Sequence, residues 1–326
     1  MVQVNDELLE WKNLKDRYEN AGLLIGNGAS LAVWNRFSYG SLCEKAPLDS
    51  ADKAVFTAAE TTNFELVLDT LRIGEVACKA VGHDFEDVRD RYLSVRSALF
   101  EAVRRVHVPW DSVPEATFQT IGQELRNYNI IFSTNYDLLV YWSIIFAAAA
   151  NIRDYFWNSD LSFDSTNTEV HGSVSTILYL HGGIHLYVDT GTGETVKRSR
   201  LSGNLLNFTD LSRRTRKPLF VSEGRSRDKM RSIRRSDYLS FGYQSLADYE
   251  GPLVIFGHSL SYADEHIAQA IRSQVNRRVA VGIRPGSAFN IIENKTRINQ
   301  VLEGQRVAYF DSTTHPLGDP GLEITP

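Results

Sequence analysis

Short, almost wholly apolar runs recur along the chain, separated by longer stretches in which apolar residues return every three or four positions. The runs lie at Leu23–Gly26, Ile130–Ser133, Ile177–Leu180, Leu219–Ser222, Leu253–Gly257, Val279–Ile283 and Val307–Phe310. Continuous apolar character, rather than alternation, marks strands covered on both faces, and the 3.6-residue period between them marks helices. Strands alternating with helices predict an α/β fold with a doubly wound, mostly parallel, Rossmann-like sheet of about six or seven strands. About a hundred residues of helical period separate the first two runs, including "NFELVLDTLRIGEVACKAV" and "VRDRYLSVRSALFEAVRRVHV". That is too much for one crossover, so a helical lobe is expected at about 45–110 within a single domain spanning 1–326. Asn151–Ser175 is rich in Asn, Asp, Ser and Thr and contains a His171–Gly172 pair; it predicts an irregular insertion at about 151–176.

Composition narrows the class. With 326 residues, 43% hydrophobic and 23% charged, the chain can bury a large core, and a net charge of -5 argues against a surface given over to nucleic acid or acidic membrane. Cys43 and Cys78 are the two cysteines, too few for a disulfide framework or a four-cysteine metal site, so no metal and a cytoplasmic location are expected. The N-terminus carries early acidic residues and is no signal peptide. The most apolar run, Leu138–Ala150, has 13 residues, short of the roughly 20 that cross a bilayer, so it predicts a buried helix and no membrane partner.

In a doubly wound sheet, ligands gather at the carboxyl ends of the strands, and polar residues cluster after four of these runs. "GNGAS" follows the first, "STNYD" the second, "HGGIH" the third and "GHSLSYADE" the fifth. In the first, a dinucleotide fingerprint would have glycine at Leu31, so two readings stay open. The backbone N–H groups of Gly28, Ala29 and Ser30 face a phosphate, or the turn is a tight corner with Ser30 capping the next helix. Asn135 and Asp137 either cap the helix that follows them or meet a ligand. His181, before two glycines, is either structural or a general base. "VIFGHSLS" also suggests a nucleophile elbow, with Ser259 as nucleophile and Asp311 and His315 after it, although Ser261 stands where the elbow has glycine.

Taken together, the four stations resemble the sirtuin superfamily. Gly26, Gly28 and Ser30 match its G-A-G-x-S turn, Asn135 and Asp137 its Q-N-x-D segment, His181–Gly182 its catalytic His-Gly, and Gly257 and Ser259 its G-x-S loop. The resemblance covers about half of the chain and implies that NAD+ is the substrate. It implies that the turn Gly26–Ser30, with Ala29, and Gly257–Ser259 hold the pyrophosphate and adenosine side. It also implies that Asp137 binds the nicotinamide carboxamide, Asn135 orients the ribose and a water, and His181 acts as base. Asn27 stands in place of alanine and Thr134 in place of glutamine, and the zinc cysteines are missing, so protein deacylation stays only as a less favoured alternative. The chain is more similar to bacterial sirtuin-like proteins that consume NAD+ in antiphage defence, including a group of unknown function with "IGNG", "TNYD" and "GHSL". That likeness implies an NAD+ glycohydrolase acting as a homo-oligomer, with a partner ATPase or nucleic-acid-guided protein as activator. An NAD+ or ADP-ribose sensor and a Ser259 hydrolase are the competing classes. Asp210–Ser240, with ten basic and four acidic residues, is either a solvated helical face or a surface for a partner, nucleic acid or phosphate.

Overall fold

The computed structural model describes residues 4–147, 151–167, 175–198, 205–206 and 216–325. The first half runs β1 (Gly22–Ile25), α1 (Asn27–Val33), α2 (Tyr39–Lys45), α3 (Ser50–Ala58), α4 (Phe64–Ala80), α5 (Glu86–Val106), α6 (Glu115–Leu125), β2 (Ile130–Ser133) and α7 (Leu139–Phe146). There follow β3 (Ile152–Arg153), β4 (Ser175–Tyr179), β5 (Gly182–Asp189), β6 (Thr195–Lys197), β7 (Arg216–Phe220), α8 (Ser226–Ile233) and α9 (Asp237–Asp248). The chain ends with β8 (Leu253–Phe256), α10 (Glu265–Arg272), β9 (Arg278–Ile283), α11 (Ala288–Val301) and β10 (Arg306–Asp311).

Seven strands form one parallel sheet in the order β10-β9-β8-β1-β2-β4-β3, with helices on its faces. This is the predicted α/β, Rossmann-like architecture. The central strands are buried at every position, as their continuous apolar character requires. The order turns at β1, where the chain leaves toward β2 on one side and returns at β8 on the other, a topological switch point where such sheets bind ligands. Register makes this exact in space: Ile25 lies beside Ser133 and Phe256, and Ser133 beside Tyr179. The residues after β1, β2, β4 and β8 therefore emerge level.

Two strand expectations are corrected. The run at Leu219–Ser222 belongs to β7, which begins at Arg216 and pairs antiparallel with β5 in a separate three-stranded sheet, order β6-β5-β7. The seventh strand of the main sheet is β3, inside the stretch expected to be irregular. Gly182 makes the departure from the main sheet possible, since its φ of +76° and the 2.0 Å between a Cβ there and Leu219 O leave no room for a side chain. The His171–Gly172 pair lies outside the described residues.

Helices α2 to α5 form a lobe over the carboxyl end of the sheet. Its apolar stripe, with Phe64, Leu68, Val95, Leu99 and Val103 buried, packs into the common core. Trp34 Nε1 donates to Val106 O (2.6 Å) and Asn27 Nδ2 to Phe37 O (3.2 Å), tying lobe to glycine turn. No described helix is long and apolar enough to cross a membrane.

Candidate active site

Between the strand ends, the lobe and α8 lies a cavity of about 1500 Å³. Asn27, Gly28, Thr134, Asn135, Asp137, His181, Gly257 and Ser259 all line it, whereas Gly26, Ala29 and Ser30 sit behind its surface.

The glycine turn meets the β8 loop rather than standing free. Gly28 N–H donates to Gly257 O (2.8 Å) and Ala29 N–H to Gly26 O (2.9 Å), so two of the three amides expected to face an anion are already used. A Cβ at Gly26 would lie 2.6 Å from His258 Cα, and one at Gly28 2.7 Å from Gly257 Cα. Gly257 itself has a φ of +69° and would put a Cβ 2.3 Å from Ala29 N. These glycines are needed for backbone approaching backbone, so the tight-corner reading accounts for them in this structure.

Ser30 is not the helix cap. The helix starts at Asn27, and Ser30 is buried in its first turn. Its hydroxyl donates to Asp137 Oδ2 (2.6 Å) and accepts from Asn135 Nδ2 (2.8 Å). The other oxygen of Asp137 accepts from the N–H of Leu139 (2.9 Å), the first residue of α7, so Asp137 ties down the start of that helix and orients Ser30 at once. Fixing the Asn135 amide nitrogen on Ser30 fixes where its oxygen goes. Asn135 is 4% exposed, and its Oδ1, buried in the cavity wall, has no hydrogen-bond partner among the described residues. An acceptor left in this way costs about 1–3 kcal/mol, which a ligand or water donor would recover.

His181 is 3% exposed and is held on the opposite side. Its carbonyl accepts from Val221 N–H (3.0 Å), and its Nε2 faces His266 Nε2 at 2.9 Å. Of two nitrogens in such contact one carries the proton and the other accepts it. His266 Nδ1 lies 3.2 Å from Ser226 Oγ on α8. Burial, with the Lys229 ammonium nearby, drives the His181 pKa well below the ordinary histidine value against the pull of Asp264, and burial brings His266 down to about 3. Both rings are neutral at physiological pH.

Behind this pair sits a buried ion cluster. Lys229, 0% exposed, donates to Glu65 Oε1 (2.6 Å) on α4 and Asp264 Oδ1 (2.7 Å). Burial alone would lower the lysine pKa, but the two carboxylates hold it above its usual value. Burial would raise the Asp264 pKa, but the Lys229 ammonium holds it well below its usual value. His181, Asp264 and His266 present ligand atoms within 4.8 Å of one another, a spacing a small cation could bridge. Lys229 already neutralises Asp264, however, and supplies the positive charge that such an ion would bring.

Asp264, His266, Lys229 and Glu65 were not among the residues the sequence singled out. His266 is the residue after the quoted "GHSLSYADE", and Lys229 was hidden in the basic run, distinguished only by sharing a helix face with Ser226 and Ile233. The hydrolase alternative is corrected. His315 Nε2 meets Tyr128 Oη (2.9 Å), its Nδ1 accepts from Leu317 N–H (3.1 Å), and Asp311 accepts from Thr313. The intended base and its partner are thus committed to other groups.

No curated protein matches the sequence. Among solved structures, a Sir2 homologue in complex with NAD is similar at 11% identity, covering 97% of this chain and 95% of its own, with a TM-score of 0.39. A mutant Sir2 homologue in complex with ADP-ribose is similar at 10% identity, covering 96% and 95%, with a TM-score of 0.37. A structure described as the basis of sirtuin substrate affinity is similar at 12% identity, covering 95% and 96%, with a TM-score of 0.39. The DUF4917 family, described as a domain of unknown function, matches residues 23–317, and the chain belongs to that family.

Proposed function

We propose that the chain is an NAD+ glycohydrolase, converting NAD+ and water to nicotinamide, ADP-ribose and a proton. The observation that carries this reading is the unpartnered Oδ1 of Asn135, buried in the wall of a cavity that His181 also lines. An amide oxygen fixed in this way accepts from a ribose hydroxyl or from the attacking water. His181, kept neutral by burial, takes the proton that the hydroxyl or water gives up. Loss of nicotinamide leaves positive charge on the ribose, as in glycoside cleavage, and carbonyl-type oxygens turned toward it favour that charge.

The roles inside the site follow from the hydrogen bonds. Asp137 and Ser30 act through Asn135, as positioning residues. His266 positions His181 and holds its Nε2, so the His181 imidazole works from its other nitrogen or the pair separates when ligand enters. Asn27, Thr134 and Ser259 form the rest of the wall against which the dinucleotide lies. The motif likeness extends the reading to a cytoplasmic effector of antiphage defence, a homo-oligomer triggered by a partner ATPase or a nucleic-acid-guided protein. A second reading, a sensor that holds NAD+ or ADP-ribose without turnover, is favoured by one observation, the Gly28 amide spent on Gly257.

Incubating the full chain with NAD+ and resolving the products by chromatography separates the two. Nicotinamide and ADP-ribose are expected in equal amounts, and His181→Ala and Asn135→Ala are each expected to lower turnover by about 10²–10⁴-fold. Turnover unchanged in both variants sinks the assignment; binding without turnover in the unaltered chain establishes the sensor.

A further inference from the structure

Three features of the cavity go unused by an NAD+ site on the strand ends. The cavity, at about 1500 Å³, exceeds the roughly 300–1,000 Å³ of ordinary small-molecule sites. Beyond the strand ends its wall is α8, a helix within the basic run. Lys229 and Ile233 turn inward, and Arg227, Arg231 and Arg234, spaced i, i+4 and i+7, line the cavity. The run is therefore two-faced, with one face holding the fold together and the other facing a large open space.

Charge balance separates these arginines from ordinary surface pairs. Of the carboxylates on the outer wall, Asp69 pairs with Arg225, Glu265 pairs with Arg272, and Glu65 and Asp264 share Lys229. Arg231 pairs with Asp228 (2.7 Å). Among the described residues, no carboxylate pairs with Arg227 or Arg234 and no acceptor takes a hydrogen bond from either side chain. These two guanidinium groups are therefore left without an anionic partner in the wall. Beside them stands Tyr262, 90% exposed and also lining the cavity, on the 3-10 turn Tyr262–Asp264 that Lys229 ties to α8. An aromatic ring left that open has both faces available for stacking.

We propose that the outer half of the cavity is a second ligand site, beside the NAD+ site, for a phosphate-bearing nucleotide unit. Arg227 and Arg234 take the phosphates, since planar guanidinium forks match phosphate oxygens in geometry and charge. Tyr262 takes the base, since every base has a π-face and stacking on an aromatic side chain does not depend on its sequence. A free nucleotide and the end of a nucleic-acid strand offer the same chemistry. The proposal rests on the NAD+ reading only in placing two ligands side by side.

Calorimetric titration of the full chain with dTTP, with and without saturating NAD+, and with a 5′-phosphorylated thymidine decamer tests it. Thymine avoids the adenine that NAD+ would share. Binding of dTTP is expected in both conditions, weakened at least about tenfold by Arg227→Gln with Arg234→Gln and about fivefold or more by Tyr262→Ala. All three side chains are exposed, so circular dichroism should show the variants folded, with NAD+ affinity within about twofold of the unaltered chain. A decamer that binds more tightly than dTTP supports the site with a strand end as its source, and weaker or equal binding supports it with a free nucleotide. The proposal is overturned if neither probe binds, if the double substitution leaves affinity unchanged, or if saturating NAD+ displaces dTTP. Binding of dTTP to a chain that does not bind NAD+ supports the arginine site and overturns the NAD+ reading.

Discussion

The two walls of the cavity are built on different physics. The strand-end wall is set by topology: β1, β2 and β8 end level, three glycines let their loops touch, and Ser30, Asn135 and Asp137 lock together through hydrogen bonds. The α8 wall is set by charge, with Lys229 joining Glu65 of the lobe to Asp264 of the β8 loop. His181 is held between the two, its backbone by the small sheet and its ring by His266. A site whose one half is fixed by the sheet and whose other half depends on ionisation should lose its halves under different challenges.

The largest effect should come from Lys229→Met. Glu65 and Asp264, both partly buried, would lose their shared cation, and urea unfolding should show a loss of up to about 3–5 kcal/mol. A loss under about 1 kcal/mol would mean that the α8 wall is held by packing instead. On the strand-end wall, Gly257→Ala forces a Cβ onto a left-handed backbone and against Ala29 N; thermal unfolding should register about 1–3 kcal/mol, and an unaltered midpoint would show that the two loops can part at little cost.

Acid sharpens the contrast further. Burial pushes His185, His266 and His315 each down to about 3. An unfolded histidine takes its proton near pH 6.5, so below that value the unfolded state binds protons that the folded state refuses. Stability is therefore full above about pH 6.5 and declines toward pH 3, by about 1.4 kcal/mol per pH unit for each such histidine. Urea unfolding at a series of pH values measures this slope. Substituting His266 by Gln should remove one group's share, and an unchanged slope would contradict its burial as a neutral ring.

The two walls also differ in how far they can be read from sequence. Six of the seven apolar runs are strands of the main sheet because a strand buried on both faces needs unbroken apolar residues, and that need is local. The seventh run misled because Leu219 and Phe220 end an edge-type strand whose earlier residues, Arg216 to Pro218, are partly exposed. β3 escaped because two residues carry no periodicity. The cavity residues of the strand-end wall were legible as short motifs, since each follows a strand directly. Lys229 and Glu65 lie 164 residues apart, and no local pattern tells a lysine that will be buried from its solvated neighbours. What Ser30 and Asp137 do was also out of reach, because capping and cross-linking use the same residue types and differ only in which partner the fold brings near.

A crystal structure of the full chain grown with NAD+ or ADP-ribose tests the role of Asn135 and His181 in one measurement. Density is expected in the cavity, with a ribose hydroxyl or a water on Asn135 Oδ1 and the same ribose beside His181. A dinucleotide seated elsewhere, or Asn135 Oδ1 facing a protein donor with the ligand bound, would contradict that role.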